Sequence, residues 1–281
     1  MKGGSTTLAL LVAVCCTAVD SYLHPTPQIS DAVLSQERLV QSSMFYSQET
    51  IARAYRASID SLPPVMSSAA ASLTPRDGIR GRIYHVGCGL AGAMACIDTS
   101  EMPDTYGSPF EETRAFIDGG WCGLGVVSGD ISHISSMHRI GLSHFRTDIA
   151  PMLTPRDTVI FNVISDNMIE PSHGVSTDLL AIADAVCNSG ASGHVIHVVL
   201  LNRDQENNMT TSGNAPQEIL SHLPSSAAIC TTLLPMHSAG RATRAKNSGA
   251  LLYASLALKV MLNAVSTYAQ GVGRGAIFKV I

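Results

Sequence analysis

Apolar runs of strand length alternate with helical patterns along most of this chain, and this alternation limits the possible fold more than any other feature. The run His194–Leu201 is the strongest strand signal, and Thr158–Ile164 is continuously apolar, as expected of a strand covered on both faces. Between Ile164 and His194, residues 174–187 place their apolar side chains at helical spacing. Strands that alternate with helices predict βαβ units and a mostly parallel sheet.

Five strands and their flanking helices can be placed on the sequence. The predicted strands are 82–86, 115–117, 158–164, 194–201 and 228–234, with Pro235 expected to stop the last one. Helical patterns occupy 30–62, 64–73, 90–97, 130–150, 174–187 and 249–270, a turn covers 74–78, and a polar loop covers 202–217. Pro63-Pro64 separates the first two helices, with Pro64 in the first turn of the second. The predicted class is α/β: a doubly wound, mostly parallel five-stranded sheet with N-terminal helices and a long C-terminal helix.

Composition argues against one large class of partners. The chain has 281 residues, of which 46% are hydrophobic and 14% charged, as in globular proteins. Its net charge is −4, and aromatic residues make up 5%. Nucleic-acid binding needs a basic surface and often aromatic platforms. We therefore predict no nucleic-acid partner.

The N-terminal segment and the cysteines point to different compartments. The apolar run Leu8–Val19 is too short to span a membrane, but it is similar to the apolar region of a secretory signal. Of the seven cysteines, the five outside this segment are widely spaced and form no CxxC pair, which is typical of free thiols in a reducing compartment. We expect a cytoplasmic protein without a membrane span, and the alternative is entry into the secretory pathway through Leu8–Val19. The predicted segments are a leader over 1–24, N-terminal helices over 25–75 and a ligand-binding domain over 76–281.

A glycine-rich turn follows the first predicted strand and opens a helix. Its sequence is Gly87-Cys88-Gly89-Leu90-Ala91-Gly92. Glycines allow the backbone to approach a ligand closely, and a helix N-terminus offers free N–H groups to an anion. The spacing also fits a dinucleotide fingerprint, which needs an acidic residue about 20 residues further on. Asp118 comes 26 residues after Gly92, so an anion is favoured over a dinucleotide and no cofactor is predicted.

Several strings of the chain together resemble the sugar isomerase (SIS) domain of N-acetylmuramic acid 6-phosphate etherases, a group that includes the glucokinase regulatory protein. The strings are 81–92, 97–107, 109–111 and 117–120, with weaker similarity at 263–267 and 271–280. The family patterns are a G-x-G-T-S-G-R turn, a D-A-S-E-C-P-P-T-F-G segment and an A-G-G strand end. The most specific match is Asp98-Thr-Ser-Glu-Met-Pro-Asp-Thr-Tyr-Gly107. The resemblance extends over residues 30–281.

The resemblance implies a site for a sugar phosphate or amino-sugar phosphate, without a metal. In the etherase, two glutamates act as acid and base on the lactyl ether. Glu101 matches the first of them and is the predicted catalytic residue. The substrate-binding residues implied by the three family loops are Gly87, Gly89, Gly92, Ser165, Asn167, Thr243, Arg244 and Lys246. A register without a gap would place Ser248-Gly249-Ala250 at the third loop instead.

The departures from the family pattern fall on functional positions. Leu90-Ala91 and Ala93 replace the Thr-Ser and Arg of the turn, which removes two hydroxyl donors and a cation. The region 138–148, where the second glutamate is expected, contains no Glu, and Asp148 is its only acid. Asp166 and Glu170 in the second loop would repel a phosphate. His133, His138 and His144 also lie in this part of the chain, but their pattern does not support a metal site.

Three functions follow from these matches and departures. The first is a phosphosugar-binding protein that is regulatory or catalytically weakened. The second is an active lyase that uses Glu101 with an unrecognised partner on an amino-sugar 6-phosphate. The third is an interaction domain that binds no sugar. The resemblance also implies a homodimer or a sugar kinase as possible protein partners.

Overall fold

The computed structural model describes residues 36–125, 129–166, 176–202, 215–236 and 247–275. The strands are β1 (Ile83–Gly87), β2 (Thr113–Ile117), β3 (Thr158–Asp166), β4 (Ser192–Asn202) and β5 (Ile229–Met236). The α-helices are α1 (Gln36–Asp60), α2 (Pro63–Leu73), α3 (Gly89–Ser100), α4 (Met102–Tyr106), α5 (Gly120–Gly123), α6 (Leu142–His144), α7 (Thr177–Ser189), α8 (Ala215–His222) and α9 (Asn247–Tyr268). A π-helical turn (Phe145–Ile149) and a 3-10 turn (Ala150–Met152) continue α6, and a second π-helical turn (Ala269–Gly273) continues α9.

The five strands form one parallel sheet in the order β2-β1-β3-β4-β5. This confirms the predicted α/β class. The chain order reverses between β1 and β3, where Gly87 pairs with Asn162 on one side and with Ile117 on the other. Such a reversal leaves a crevice beyond the carboxyl ends of the strands, which is the usual ligand position in open α/β sheets.

The alternation of side chains along the strands divides the core into two clusters. Ile83, Ala115 and Ile160 face the helices α1, α2, α3 and α9, and we call this side the α9 face. Tyr84 and Phe116 point the other way, toward α6, α7 and α8, and we call that side the α7 face. The N-terminal helices therefore contribute to the same core as the sheet, and Leu62, Val65 and Leu73 are fully buried there.

The segment Leu251–Gly273 has the length and apolar composition that a membrane-spanning helix would need. Within the fold it packs on the α9 face, and 56% of its most apolar window is buried. A core helix of a globular domain meets the same criterion. The apolar composition is therefore explained by packing against β4, α1 and α3.

Most predicted elements are confirmed, and three predictions were wrong. Residues 130–141 form no α-helix and only a 3-10 turn at Ser136–His138, because Ile117 N–H donates to Ile140 O at 2.7 Å and so draws the end of this segment to the edge of β2. His133 and His144 therefore do not share a helix face. The predicted loop 202–217 runs into a helix, α8, which begins at Ala215. Strand β5 continues through Pro235 to Met236, since an edge strand tolerates a residue that lacks an N–H.

Candidate functional site

Gly87 and Gly92 hold β1, β3 and α3 close together. A Cβ atom on Gly87 would lie 2.9 Å from Asn162 O and 3.0 Å from Gly92 N. A Cβ atom on Gly92 would lie 2.7 Å from both Gly87 O and Ile117 Cγ1. These distances are shorter than side chains accept, so packing alone requires both glycines.

Gly89 has a different role, because nothing lies within 4 Å of the position that its Cβ would take. Its φ of +50° belongs to the left-handed region, which glycine adopts without strain. Cys88 precedes it as the N-cap residue of α3, and its side chain caps no N–H group. The Cys88 side chain therefore leaves the first N–H groups of α3 uncapped, and anion binding there stays a prediction from the glycine turn.

The charges nearest this turn are negative. The pKa of the Cys88 thiol is raised to about 11, mainly by burial, with further contributions from Asp118 and Asp178. Asp118 N–H donates to Gly87 O at 3.2 Å, which fixes this residue at the carboxyl end of β1. Asp178 pairs with Arg146 at 2.9 Å. The replaced hydroxyls and these carboxylates together weaken the turn as a phosphate site.

Ser165 lies near the carboxyl end of β3, where its hydroxyl is 2.8 Å from His197 Nε2 on β4. His197 is 3% exposed, and burial lowers its pKa to about 4. The imidazole is therefore neutral at pH 7 and contributes no cation. His197 Nε2 can orient the Ser165 hydroxyl in either tautomer, as the donor when Nε2 carries the proton and as the acceptor when it does not. Sequence reasoning found Ser165 but missed His197, which looked like a strand residue.

Glu101 lies at a buried ion cluster on the α9 face. Lys259 Nζ is 2.9 Å from Asp98 Oδ1 and 3.2 Å from Glu101 Oε2. The side chains of Lys259 and Asp98 are 1% and 0% exposed, whereas that of Glu101 is 23% exposed. Buried charges require such pairing, because desolvation costs several kcal/mol per ion. Of the two carboxylates, only Glu101 has access to solvent and hence to a substrate.

Sequence reasoning also missed Asp98 and Lys259. A signal for Lys259 exists, because it is the only charged residue in the apolar stretch 247–273 of the C-terminal helix and its extension. A lone charge on a buried helix usually meets a counter-charge. The matching carboxylate could not be identified without the packing of α9 on α3.

The remainder of the family segment is tied to the end of α9. Tyr106 Oη lies 3.0 Å from Thr267 Oγ1. Arg274 donates to Tyr106 O at 3.1 Å and to Gly107 O at 3.0 Å. Gly107 ends α4 with a φ of 64°, which explains the glycine at this position. The string 98–107 therefore has a structural role beside the predicted catalytic one.

Glu101 and the glycine turn lie at opposite ends of α3. The helix has 12 residues, from Gly89 to Ser100. At a rise of 1.5 Å per residue, its two ends are about 18 Å apart. The structure therefore gathers Gly87, Gly89, Gly92 and Ser165 at the carboxyl edge of the sheet and leaves Glu101 away from them.

Asp148 does not supply the missing second carboxylate beside Glu101. It follows α6 on the α7 face, where it lies 2.7 Å from His144 Nδ1 and 3.9 Å from Arg139 Nη1. The sheet separates this face from the Glu101 cluster. Across the described ranges, no group of three His, Cys, Asp or Glu residues could hold a metal ion.

Four predicted binding residues lie outside the described residues: Asn167, Thr243, Arg244 and Lys246. The alternative third loop, Ser248-Gly249-Ala250, falls in the first turn of α9. The described part of the site is therefore the glycine turn, the Ser165–His197 pair and the Glu101 cluster.

Comparison with known proteins finds sequence similarity to SIS-domain proteins. Residues 60–194 match the family model of the glucokinase regulatory protein, second SIS domain. The mouse glucokinase regulatory protein is 29% identical over 175 residues, which cover 60% of this chain and 26% of that protein. The N-acetylmuramic acid 6-phosphate etherase of Salmonella agona is 34% identical over 105 residues, which cover 37% of this chain and 33% of that enzyme.

The chain thus spans a quarter to a third of the length of these relatives. A phosphoheptose isomerase from Francisella tularensis aligns with 81% of this chain and 98% of its own, at 13% identity and a TM-score of 0.41. The sequence matches agree with the glycine turn, the 98–107 segment and the parallel sheet. Residues 60–194 therefore resemble an SIS domain of the kind found in the glucokinase regulatory protein, and the chain is also similar to N-acetylmuramic acid 6-phosphate etherase.

Proposed function

We propose that this chain binds a sugar phosphate or amino-sugar phosphate and acts as a regulatory or catalytically weakened member of its group. The observation that carries this proposal is the state of the carboxylates around Glu101. Asp98 is fully buried against Lys259 and is inaccessible to a substrate. Asp148 is on the other face of the sheet. Within the described cluster around Lys259, one accessible carboxylate can bind sugar hydroxyls, whereas an acid and a base working as a pair require two.

The distance between Glu101 and the glycine turn supports a site formed by two SIS domains together. A hexose phosphate is too short to span the roughly 18 Å between the ends of α3. We propose that Glu101 of one domain and the glycine turn of another contribute to the same site. The second domain would come from a second copy of this chain. Sedimentation analysis should then give a dimer whose population rises with added sugar phosphate.

Ligand binding is tested by calorimetry with glucosamine 6-phosphate, N-acetylglucosamine 6-phosphate and fructose 6-phosphate. We expect one of these to bind at micromolar to millimolar concentration and to raise the melting temperature. Glu101→Gln should weaken that ligand about tenfold, because a charge-assisted hydrogen bond becomes a neutral one. Glu49→Gln, which alters a half-exposed pair on α1, is the matched control. If no ligand changes the melting temperature at millimolar concentration, sugar-phosphate binding is excluded and the remaining hypothesis is an interaction domain.

The second candidate function is an active lyase. Solvent access of Glu101 favours it, because this residue matches the first catalytic glutamate of the etherase. The assay is lactate release from N-acetylmuramic acid 6-phosphate. We expect no release above background, and release that Glu101→Gln abolishes would replace the regulatory proposal with the enzymatic one.

We propose a cytoplasmic location, and a sugar kinase is a second candidate partner. The described cysteines are free thiols, as expected under reducing conditions. Sequencing the N-terminus of the mature protein tests the location, because loss of Leu8–Val19 would indicate secretion. The kinase is suggested by the name of the regulatory relative. Inhibition of a hexokinase-type activity by this chain, relieved by sugar phosphate, is the corresponding assay.

A further inference from the structure

A cavity of about 250 Å³ lies on the α7 face, near the amino-terminal ends of β1 and β2. Arg82 and Tyr84 line it from β1, Arg114 lines it from β2, and His144 and Asp148 line it from α6 and the π-helical turn. The glycine turn lies at the carboxyl ends of the same strands, and the Glu101 cluster lies on the other face. This cavity is therefore separate from the candidate sugar site.

Arg114 is a buried cation whose hydrogen bonds are only partly used. It is 6% exposed. Its Nη2 donates to Met137 O and Arg139 O, each at 3.1 Å, and its Cζ lies 4.8 Å from the Phe116 ring centroid. Within the described part of the chain, no carboxylate forms an ion pair with it, and its Nε and Nη1 donate to no protein atom. A guanidinium offers five donors, so Arg114 keeps unused ones beside the cavity.

Two further nitrogen-bearing groups line the same space. Arg82 donates to Tyr84 Oη at 3.4 Å and forms no ion pair with the described carboxylates. His144 uses Nδ1 for Asp148 at 2.7 Å, whereas its buried Nε2 has no hydrogen-bond partner in the described ranges. A buried ring nitrogen without a partner is costly, and a polar ligand in the cavity would meet His144 Nε2 as well as the unused donors of Arg114.

The charges define the kind of ligand. Asp148 is already occupied by His144 and Arg139, and Glu111 lies at the exposed rim. Two guanidinium groups therefore face a single further carboxylate in the cavity lining, the exposed Glu111, so the cavity keeps an excess of positive charge. Guanidinium groups favour oxyanions that accept two parallel hydrogen bonds. Met137, Ile149 and Met152 supply apolar wall beside them. The volume lies just below the range of roughly 300–1,000 Å³ typical of drug-sized ligands, so the guest is small.

We propose that this cavity binds a small organic oxyanion, a carboxylate or a phosphate monoester, through Arg114 and Arg82. Arg114 also ties the turn at 137–139 to β2, and that structural role accounts for its Nη2 bonds. It does not account for the donors that Arg114 leaves unused, or for a second arginine, Arg82, lining the same cavity. The oxyanion would accept hydrogen bonds from both guanidinium groups and leave the bonds between Arg114 and the turn intact.

The chain contains its own reporter for this site. Its one tryptophan, Trp121, donates from Nε1 to His138 O at 2.9 Å, in the turn whose neighbouring carbonyls accept from Arg114. We would titrate the full chain with malonate and, separately, with inorganic phosphate, and follow heat by calorimetry together with Trp121 fluorescence. A saturable response to either anion in both readouts is expected. The anion that binds more tightly identifies the source as a carboxylate or a phosphate.

Variants locate the binding. Arg82→Gln and Met152→Glu change exposed positions on the rim, and each should weaken the anion at least tenfold. Arg53→Gln makes the same charge change on the remote helix α1 and should leave affinity unchanged. Arg114→Gln is a further test of binding if that variant folds. If it does not fold, Met152→Glu tests the site instead.

Three outcomes would overturn the proposal. The first is no saturable binding of either anion. The second is heat without a fluorescence response, which would place the anion elsewhere. The third is equal affinity in Arg82→Gln, Met152→Glu and the parent chain, which would leave Arg114 with its structural role alone.

Discussion

Lys259 Nζ donates to Asp98 Oδ1 at 2.9 Å inside the core, where neither side chain reaches solvent. This contact joins the C-terminal helix to the end of α3, and Glu101 completes the cluster from its partly exposed position. The family segment at 98–107 is thereby fixed to a helix that lies more than 150 residues further along the chain. The stability of the fold and the position of Glu101 therefore depend on the same ammonium group.

Lys259→Met should strongly destabilise the protein. The substitution keeps the apolar stem but leaves Asp98 buried without its cation, which costs about 3–5 kcal/mol in comparable cases. Urea unfolding measures the change in the free energy of unfolding. Arg53→Met removes a cation from the half-exposed pair with Glu49, and its cost should stay below about 1 kcal/mol. Adding Asp98→Asn to Lys259→Met should recover part of the loss, and no recovery would contradict the assigned pairing.

Gly92→Ala should destabilise the protein by about 1–3 kcal/mol, as overpacking of a core does. The new methyl group would lie 2.7 Å from Gly87 O and from Ile117 Cγ1. Gly271→Ala is the matched control, because nothing lies within 4 Å of its Cβ position. Thermal unfolding of the two variants should differ by several degrees. Equal melting temperatures would mean that the close approach of α3 to β1 is not required.

Asp118→Asn should improve phosphate binding at the glycine turn. Removing one negative charge beside the N-terminus of α3 reduces repulsion of an anion, and a gain of severalfold in affinity is expected. The same change should lower the pKa of Cys88, since Asp118 contributes to raising it. Alkylation rates of Cys88 at several pH values measure the pKa, and calorimetry with inorganic phosphate measures affinity. Asp60→Asn on α1 should affect neither.

Buried histidines should make stability fall as the pH is lowered from about 6.5 to about 4. Burial lowers the pKa values of both His194 and His197 from 6.5 to about 4. Between these pH values the unfolded chain binds protons that the folded chain does not. The free energy of unfolding therefore decreases as the pH falls. The full effect is up to about 3 kcal/mol for each ring, at 1.36 kcal/mol per pKa unit.

The structure supports the neutral form of His194 directly, because its Nδ1 accepts a hydrogen bond from Ala228 N–H at 3.0 Å. Urea midpoints at pH 7.5, 6, 5 and 4.5 measure the trend. His197→Gln should flatten the curve by about half relative to the parent chain. An unchanged slope in that variant would show that His197 does not titrate between the two states as proposed.

Parts of the site could be predicted because they depend on local sequence. Gly87, Gly89 and Gly92 follow a strand and open a helix, and that order alone predicts a turn with a free helix N-terminus. Ser165 was found because it ends an apolar strand. In contrast, residues 130–141 carry a helical pattern but form only a 3-10 turn at Ser136–His138, because a backbone hydrogen bond between Ile117 and Ile140 competes with the helix. A hydrogen bond between residues far apart in the chain leaves no trace in the local periodicity of the sequence.

The sequence by itself determined the parallel sheet, because the order of apolar runs and helical patterns fixes which elements must cover both faces of each strand. It also identified Glu101 through the family segment. Only the tertiary structure decided that Lys259 and Asp98 hold Glu101, that Asp148 is on the opposite face, and that Arg82 and Arg114 meet in one cavity. The physical reason is that charges interact through space over a few ångströms, and residues far apart in the chain reach that distance only after the helices pack on the sheet.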